Sequence, residues 1–136
     1  MATPFRIVRR VEFGDTDMAG IMHFANFFRF MEVAETAFLR ARGLSVAWTE
    51  NGVGYGFPRV SAACDYEKPL RFEDEAVIAV TLEKVGAKSL SYRFEFSRDG
   101  QPIAIGRMSS VYCRKGPGGT IEPLEIPPAI RAKLEA

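Results

Sequence analysis

The segment that decides the fold lies at residues 26–41, which read NFFRFMEVAETAFLRA. Its apolar residues recur at steps of three and four, the period of an α-helix with one buried face. These residues are Phe27, Phe30, Met31, Ala34, Phe38 and Ala41. Gly43 stands where a glycine often ends a helix. The many aromatic side chains predict that this helix packs against a sheet rather than against a second helix.

The rest of the chain shows the alternation and the β-branched and aromatic content typical of strands. One strand is predicted before the helix, over residues 5–13, and four after it, over residues 57–66, 76–85, 90–97 and 103–114. The glycine-rich residues 52–56 are predicted to form a loop, and residues 128–135 a last short helix. We therefore expect a single α+β domain over residues 1–136, in which one curved antiparallel five-stranded sheet wraps around a long central helix.

Composition excludes several classes of protein. The 18 basic and 17 acidic residues give a net charge of +1, so no broad positive surface is available for nucleic acid. No apolar run approaches the roughly 20 residues of a membrane helix. Cys64 and Cys113 form neither a disulfide framework nor a metal-binding spacing, and residues 1–10 lack the apolar core of a signal peptide. We expect a cytoplasmic protein that binds neither nucleic acid nor membrane.

Residues 12–27, EFGDTDMAGIMHFANF, carry the chemistry of the chain. Asp15 and Asp17 lie in a glycine-bounded loop directly before the hydrophobic helix. The start of a helix offers unpaired main-chain N–H groups and a partial positive charge, which can polarise a carbonyl group. An acid beside such amides suits acyl transfer. From the residues alone, an ordinary loop or capping aspartate is the favoured interpretation of Asp17.

The run DTDMAGI at residues 15–21, with the aromatic helix after it, resembles the 4-hydroxybenzoyl-CoA thioesterase family of hot-dog proteins. The resemblance covers almost the whole chain. It implies a hot-dog fold and the hydrolysis of an acyl-CoA to a free acid and coenzyme A. It implies neither a metal nor a cofactor, because coenzyme A is part of the substrate. The acyl group stays open between an aromatic group, such as hydroxybenzoyl or dihydroxynaphthoyl, and a short or medium aliphatic chain, and a carrier-protein thioester is a further alternative.

The same resemblance implies the roles of individual residues. Asp17 would attack the thioester carbon or activate a water molecule, and the two routes are not separable from sequence. The main-chain N–H of Phe24 would hold the thioester oxygen, at a position where some relatives carry tyrosine. Lys88 and Ser89 would bind the phosphates of coenzyme A, although some relatives are more basic at residues 86 and 87.

Four other residues are weaker candidates. His23 is the only histidine, and it and Glu32 are possible residues of the substrate pocket. Glu32 and Glu35 are also alternative carboxylates for catalysis, because other branches of hot-dog proteins use an acid on the helix as base or nucleophile. Asp15 is expected to order the turn.

The resemblance also implies a homodimer or a homotetramer built as a dimer of dimers, with active sites at the subunit boundary. Two other functions stay open. One is a hot-dog dehydratase or hydratase that recruits His23, and the other is a non-catalytic acyl-CoA-binding module.

Overall fold

The computed structural model describes residues 4–136. Its helices are α1, Asn26–Ala41, and α2, Pro128–Glu135. Its strands are β1 Phe5–Arg10, β2 Ala47–Glu50, β3 Val53–Gly56, β4 Arg59–Tyr66, β5 Glu75–Val85, β6 Ser89–Arg98, β7 Gln101–Val111, β8 Cys113–Lys115 and β9 Ile121–Pro123. Over this part of the chain, neither helix is both long and apolar enough to span a membrane.

Five strands form the main sheet, an antiparallel sheet in the order β1-β5-β6-β7-β4, and α1 packs on one of its faces. Val80, Phe94 and Gly106 are direct neighbours across β5, β6 and β7, and all three are buried. The face that contains them therefore points towards α1. The predicted α+β fold, a five-stranded antiparallel sheet around one long helix, is confirmed.

Helix α1 begins at the residue predicted for it and buries most of its predicted apolar face. The buried members are Phe27, Phe30, Met31, Ala34 and Phe38. Ala41 is exposed instead, and Leu39 is buried in addition. Gly43 follows the C-cap residue Arg42 with a φ of +71°, a conformation that glycine adopts without steric cost.

The predicted first strand is too long. It ends at Arg10, and Phe13 lies in a short 3₁₀ turn with 78% of its surface exposed. The Asp15 carboxylate accepts a hydrogen bond from the main-chain N–H of Glu12 at 2.8 Å, which turns the chain away from the sheet. The apolar character of Phe13 suggested a strand, but local capping decides its conformation.

A second sheet was not predicted. The strands β2, β3, β8 and β9 form it in that order, and β3 lies in the glycine-rich stretch expected to be a loop. A Cβ atom at Gly56 would lie 2.8 Å from the carbonyl oxygen of Val46, so this glycine permits close approach of two chain segments. The predicted strand over residues 103–114 is divided at Tyr112 into β7 of the main sheet and β8 of the second sheet.

Strand β4 is an edge strand that pairs only with β7. Seven of its eight residues are exposed, among them Val60 and Tyr66. Its first residue, Arg59, forms an ion pair with Glu35 of α1. Its last residue, Tyr66, donates a hydrogen bond from its hydroxyl to the carbonyl oxygen of Phe24 at 3.1 Å. Two specific polar contacts thus tie an otherwise exposed strand to α1 and the loop before it.

We expect Gly106→Ala to destabilise the protein. A Cβ atom there would lie 2.6 Å from Sδ of Met31, which is fully buried and has little space to move. The free energy of unfolding in urea should fall by about 1–3 kcal/mol. Gly14→Ala is the control, because a Cβ atom at Gly14 meets nothing within 4 Å. Equal losses in the two variants would contradict the close packing of α1 on β7.

Candidate active site

Main-chain hydrogen bonds on both sides of Asp17 hold the loop between β1 and α1 against the segment before β5. The N–H of Val11 donates to the carbonyl of Asp74 at 2.8 Å, and the N–H of Met22 donates to the carbonyl of Leu70 at 2.6 Å. Thr16 and Met22 also form an isolated β-bridge. The loop is therefore an ordered, closed structure whose tip carries Asp17.

Asp15 forms part of the framework of this loop. Its carboxylate caps the turn at Glu12, as described above. Its carbonyl oxygen accepts hydrogen bonds from the N–H of His23 at 2.9 Å and from the side-chain amide of Asn26 at 2.8 Å. These bonds join the turn to the first residue of α1, which fits the structural role expected for Asp15.

Asp17 is held by its main chain and leaves part of its carboxylate free. Its N–H donates to the carbonyl of Ile21 at 2.9 Å, and Gly20 closes the turn with a φ of +81°. One carboxylate oxygen, Oδ1, accepts the N–H of Ala19 at 2.9 Å. The other accepts no hydrogen bond from residues 4–136. One oxygen orients the side chain, and the second remains available.

This carboxylate lines a cavity of about 380 Å³. The other lining residues are Ile21, Met22, Phe24, Phe27, Tyr66, Glu67, Lys68 and Pro69. The walls are mainly apolar, with polar groups from Tyr66, Glu67 and Lys68 at one side. A larger cavity of about 530 Å³, between β5 and α2, contains none of the residues predicted for the site.

The main-chain N–H of Phe24 finds no acceptor within the described part of the chain. Phe24 lies two residues before α1 and lines the same cavity as Asp17. Most N–H groups nearby are paired, for example those of His23, Ala25 and Asn26. A residue with an unpaired amide and a residue with a partly free carboxylate therefore line one cavity at the start of a helix. This is a chemically competent arrangement for holding and attacking a carbonyl group.

His23 and Glu32 do not line this cavity in a single chain. Nδ1 of His23 accepts the N–H of Ala25 at 3.2 Å, and its exposed ring stacks on Phe24. The Glu32 carboxylate is exposed and lies 3.6 Å from the guanidinium group of Arg59. Contact of either side chain with a substrate stays a prediction.

Lys88 and Ser89 also lie away from Asp17. They occupy the β5–β6 hairpin. Tyr66, which lines the cavity, pairs with Ala104 of β7, and Ala104 pairs with Phe96 near the other end of β6. Ser89 precedes Phe96 by seven residues along β6, a distance of roughly 23 Å at 3.3 Å per residue. Within one chain, these two residues and Asp17 are therefore not brought together.

Glu35 is unsuited to catalysis in this arrangement. Its side chain is fully buried in the middle of α1, and Oε1 accepts a hydrogen bond from Nε of Arg59 at 2.9 Å. Oε2 has no partner among the described residues. Burial raises the pKa of the Glu35 carboxyl, more than the hydrogen bond and charge of Arg59 lower it. A substrate cannot reach this group without opening the core.

Sequence reasoning missed the wall of the cavity that comes from the end of β4. Tyr66 and Lys68 lie about fifty residues after Asp17, and only the order of strands in the sheet brings them beside it. No local motif marks them. Among residues 4–136, no group of three or more His, Cys, Asp or Glu side chains is placed to hold a metal ion.

Comparison with known proteins agrees with the fold. The chain matches the Thioesterase-like superfamily over residues 11–134. A 1,4-dihydroxy-2-naphthoyl-CoA hydrolase of Prochlorococcus marinus is 29% identical over 110 residues, covering 76% of this chain and 71% of the relative. The structure of BH1999 gentisyl-coenzyme A thioesterase has a TM-score of 0.78 at 27% identity, covering 97% of this chain and 100% of that one. A 4-hydroxybenzoyl-CoA thioesterase mutant complexed with 4-hydroxybenzoyl-CoA shares the fold, with a TM-score of 0.85 at 22% identity and coverages of 98% and 99%.

The chain belongs to the thioesterase-like superfamily. The resemblance to the 4-hydroxybenzoyl-CoA thioesterase family and the predicted hot-dog fold are confirmed. By class the chain is a thioester hydrolase.

The raised pKa of Glu35 predicts a pH dependence of stability. In the unfolded chain the carboxyl ionises near pH 4.5, and in the folded chain it ionises at higher pH. Between these values the folded state binds the extra proton. The contribution of the protonated Glu35 carboxyl to the unfolding free energy is therefore complete below pH 4.5, and it is lost as the pH rises through the pKa of the folded state. The unfolding free energy of the wild type, measured in urea, should thus fall relative to that of Glu35→Gln as the pH rises.

An exposed glutamate outside this ion-pair cluster supplies the control for this measurement. Glu125→Gln should follow the pH dependence of the wild type, because Glu125 is exposed and forms no ion pair among residues 4–136. If the unfolding free energies of the wild type and Glu35→Gln changed with pH in parallel, burial would not shift the pKa of the Glu35 carboxyl.

Proposed function

We propose that the protein hydrolyses an acyl-CoA thioester to a free acid and coenzyme A, with Asp17 as the catalytic carboxylate. The observation that carries the proposal is the pairing of a partly free Asp17 carboxylate with the unpaired N–H of Phe24 at one cavity. Membership of the thioesterase-like superfamily supports it.

In the proposed reaction, the thioester carbonyl lies against the Phe24 amide. Asp17 either attacks the carbonyl carbon or removes a proton from a water molecule that attacks it. The carbonyl oxygen becomes negatively charged, and the amide stabilises that charge together with the positive end of α1. The C–S bond then breaks and the thiolate of coenzyme A leaves and takes up a proton. In the nucleophilic route, water next cleaves the anhydride between Asp17 and the acyl group.

The cavity suits an acyl group of moderate size. Ile21, Met22 and Phe27 supply apolar walls, and the Tyr66 hydroxyl and Lys68 ammonium supply polar groups at one side. We propose a hydroxylated aromatic acyl group, of the kind named for the relatives, with a short or medium aliphatic chain as the alternative. A panel of acyl-CoA and carrier-protein thioesters, followed by the release of free thiol, separates these substrates.

We propose that the enzyme acts as a homodimer, or as a homotetramer built from two dimers, joined through the exposed edge of β4. Unpaired edge groups favour strand pairing with a second copy. Antiparallel pairing about a two-fold axis would place the Arg59 end of one β4 beside the Tyr66 end of the other. Lys88 and Ser89 lie at the Arg59 end, because Arg59 aligns with Ser110 and Leu90. The Lys88 of one copy would then approach the Asp17 cavity of the other.

A cytoplasmic location completes the proposal. It is supported by the two cysteines, Cys64 and Cys113, which are both free thiols. Reduced cysteines are typical of reducing compartments.

We expect Asp17→Asn to lower kcat by at least about 10²-fold, because the amide is neither a nucleophile nor a base. Thermal unfolding should change little, since the amide oxygen can still accept the N–H of Ala19. The measurement is steady-state thiol release over the acyl-CoA panel. Asp99→Asn is the matched control, because Asp99 is an exposed turn residue with 86% of its side chain accessible.

Full activity of Asp17→Asn would overturn the proposed mechanism. If His23→Ala also abolished turnover of a hydroxyacyl-CoA by water elimination, the dehydratase function would replace it. If neither variant nor the wild type released thiol while acyl-CoA still bound, the protein would be a binding module.

Lys88→Ala tests the coenzyme A site. The nucleotide end binds equally in the ground state and the transition state, so KM should rise severalfold while kcat changes little. Lys133→Ala, on the exposed face of α2, serves as the control for loss of a surface charge. An unchanged KM in Lys88→Ala would remove Lys88 from the site.

A further inference from the structure

We propose that Tyr66 is a positioning residue for thioester hydrolysis, and that its hydroxyl holds the main chain of Phe24 so that the Phe24 amide faces the substrate carbonyl. The inference rests on the proposed function and adds a residue that acts through Phe24.

The contact itself is direct. The Tyr66 hydroxyl donates to the carbonyl oxygen of Phe24 at 3.1 Å, and the N–H of Phe27 donates to the same oxygen at 3.3 Å. The second bond belongs to the turn that opens α1. The first comes from a different element, the end of β4, and is the side-chain bond that ties Phe24 to the sheet.

Phe24 needs such a bond because its own side chain does not anchor it. Its ring is 63% exposed and stacks on the exposed ring of His23, outside the hydrophobic core. The position of this residue therefore depends on its main-chain contacts. The N–H of Phe24 lies in the peptide plane before its Cα atom, and its carbonyl lies in the plane after it. When a hydrogen bond fixes the carbonyl plane, the N–H can change direction only by rotation about φ and ψ of Phe24.

Tyr66, by contrast, is firmly placed. It pairs with Ala104 of β7, and the next two N–H groups, of Glu67 and Lys68, donate to the carbonyl of Ile103 at 2.8 and 3.1 Å. Its ring meets the buried Phe27 edge-on, with ring centroids 5.0 Å apart. Burial, together with the nearby Cys64, raises the pKa of the Tyr66 hydroxyl, so the group keeps the proton that it donates. A rigid donor thus fixes the carbonyl plane of Phe24 from the sheet, while the N–H of Asn26 holds the preceding peptide plane, which carries the Phe24 N–H, through the carbonyl of His23 at 2.9 Å.

If the Phe24 amide is displaced, the transition state loses more stabilisation than the ground state, because the charge on the carbonyl oxygen develops only during the reaction. We expect Tyr66→Phe to lower kcat and kcat/KM together by about three- to tenfold, the range of one net hydrogen bond. KM and the thermal unfolding temperature should stay close to those of the wild type, since the ring contact with Phe27 is kept.

The matched control is Tyr92→Phe, which removes a hydroxyl from the inner face of the same sheet. Among residues 4–136 this buried hydroxyl has no hydrogen-bond partner, and Tyr92 lies near Glu35 and does not line the Asp17 cavity. Its removal should leave kcat unchanged. An equal loss of kcat in both variants would overturn the inference, because the effect would then follow from general packing.

A spectroscopic measurement separates positioning from structural loss. In Asp17→Asn, 4-hydroxybenzoyl-CoA should bind without turnover, and hydrogen bonding from the Phe24 amide should lower the infrared stretching frequency of its thioester carbonyl. Adding Tyr66→Phe to that background should move the frequency back towards its value in water, with binding affinity retained. Adding Tyr92→Phe should not move it.

The outcomes distinguish this inference from the proposed function. Absence of thiol release by the wild type would overturn the proposed function, and full hydrolysis by Asp17→Asn would overturn the catalytic role of Asp17. An inactive Asp17→Asn, combined with unchanged kcat and unchanged carbonyl frequency in the Tyr66→Phe variants, would overturn the role of Tyr66 alone.

Discussion

The packing of α1 against the inner face of the main sheet is the contact on which the rest of the structure depends. Phe27, Phe30 and Phe38 are fully enclosed there, and each such side chain contributes roughly 1.5–3 kcal/mol of burial free energy. Gly106 lets the helix approach β7 closely, through Met31. This packing fixes where α1 begins. It therefore fixes where the first unpaired amides of the helix and its positive end are presented.

The candidate site follows from that placement together with the hydrogen bonds of the preceding loop. Main-chain bonds at Val11 and Met22 close the loop against neighbouring segments, and Asp15 satisfies the groups at its base. The first N–H groups of a helix lack partners within the helix itself. Among residues 4–136, the N–H of Phe24 and one carboxylate oxygen of Asp17 have no hydrogen-bond partner, and the two residues line the same cavity.

Strand β4 connects the parts of the molecule that matter for function. Arg59 at one end pairs with the buried Glu35, and Tyr66 at the other end bonds to Phe24. Burial of the Glu35 carboxyl is costly, and the attraction of the partly exposed Arg59 offsets that cost only in part, but removal of Arg59 would leave the buried carboxyl without its partner. The pair therefore selects one position for β4 relative to α1. The same strand offers its free edge to a second copy.

The sequence by itself determined the long helix, because a three-to-four-residue apolar period over residues 26–41 has one structural solution, and it located Asp17 through a contiguous motif. It also indicated where the main strands lie along the chain. Only the tertiary structure decided that Phe13 leaves the sheet, that residues 53–56 pair in a second sheet, that Glu35 is enclosed, and that Tyr66 meets Phe24. The physical reason is the separation along the chain of the residues that interact. Periodicity and capping act between residues a few positions apart, whereas strand pairing and cavity walls join segments tens of residues apart whose contacts no local pattern records.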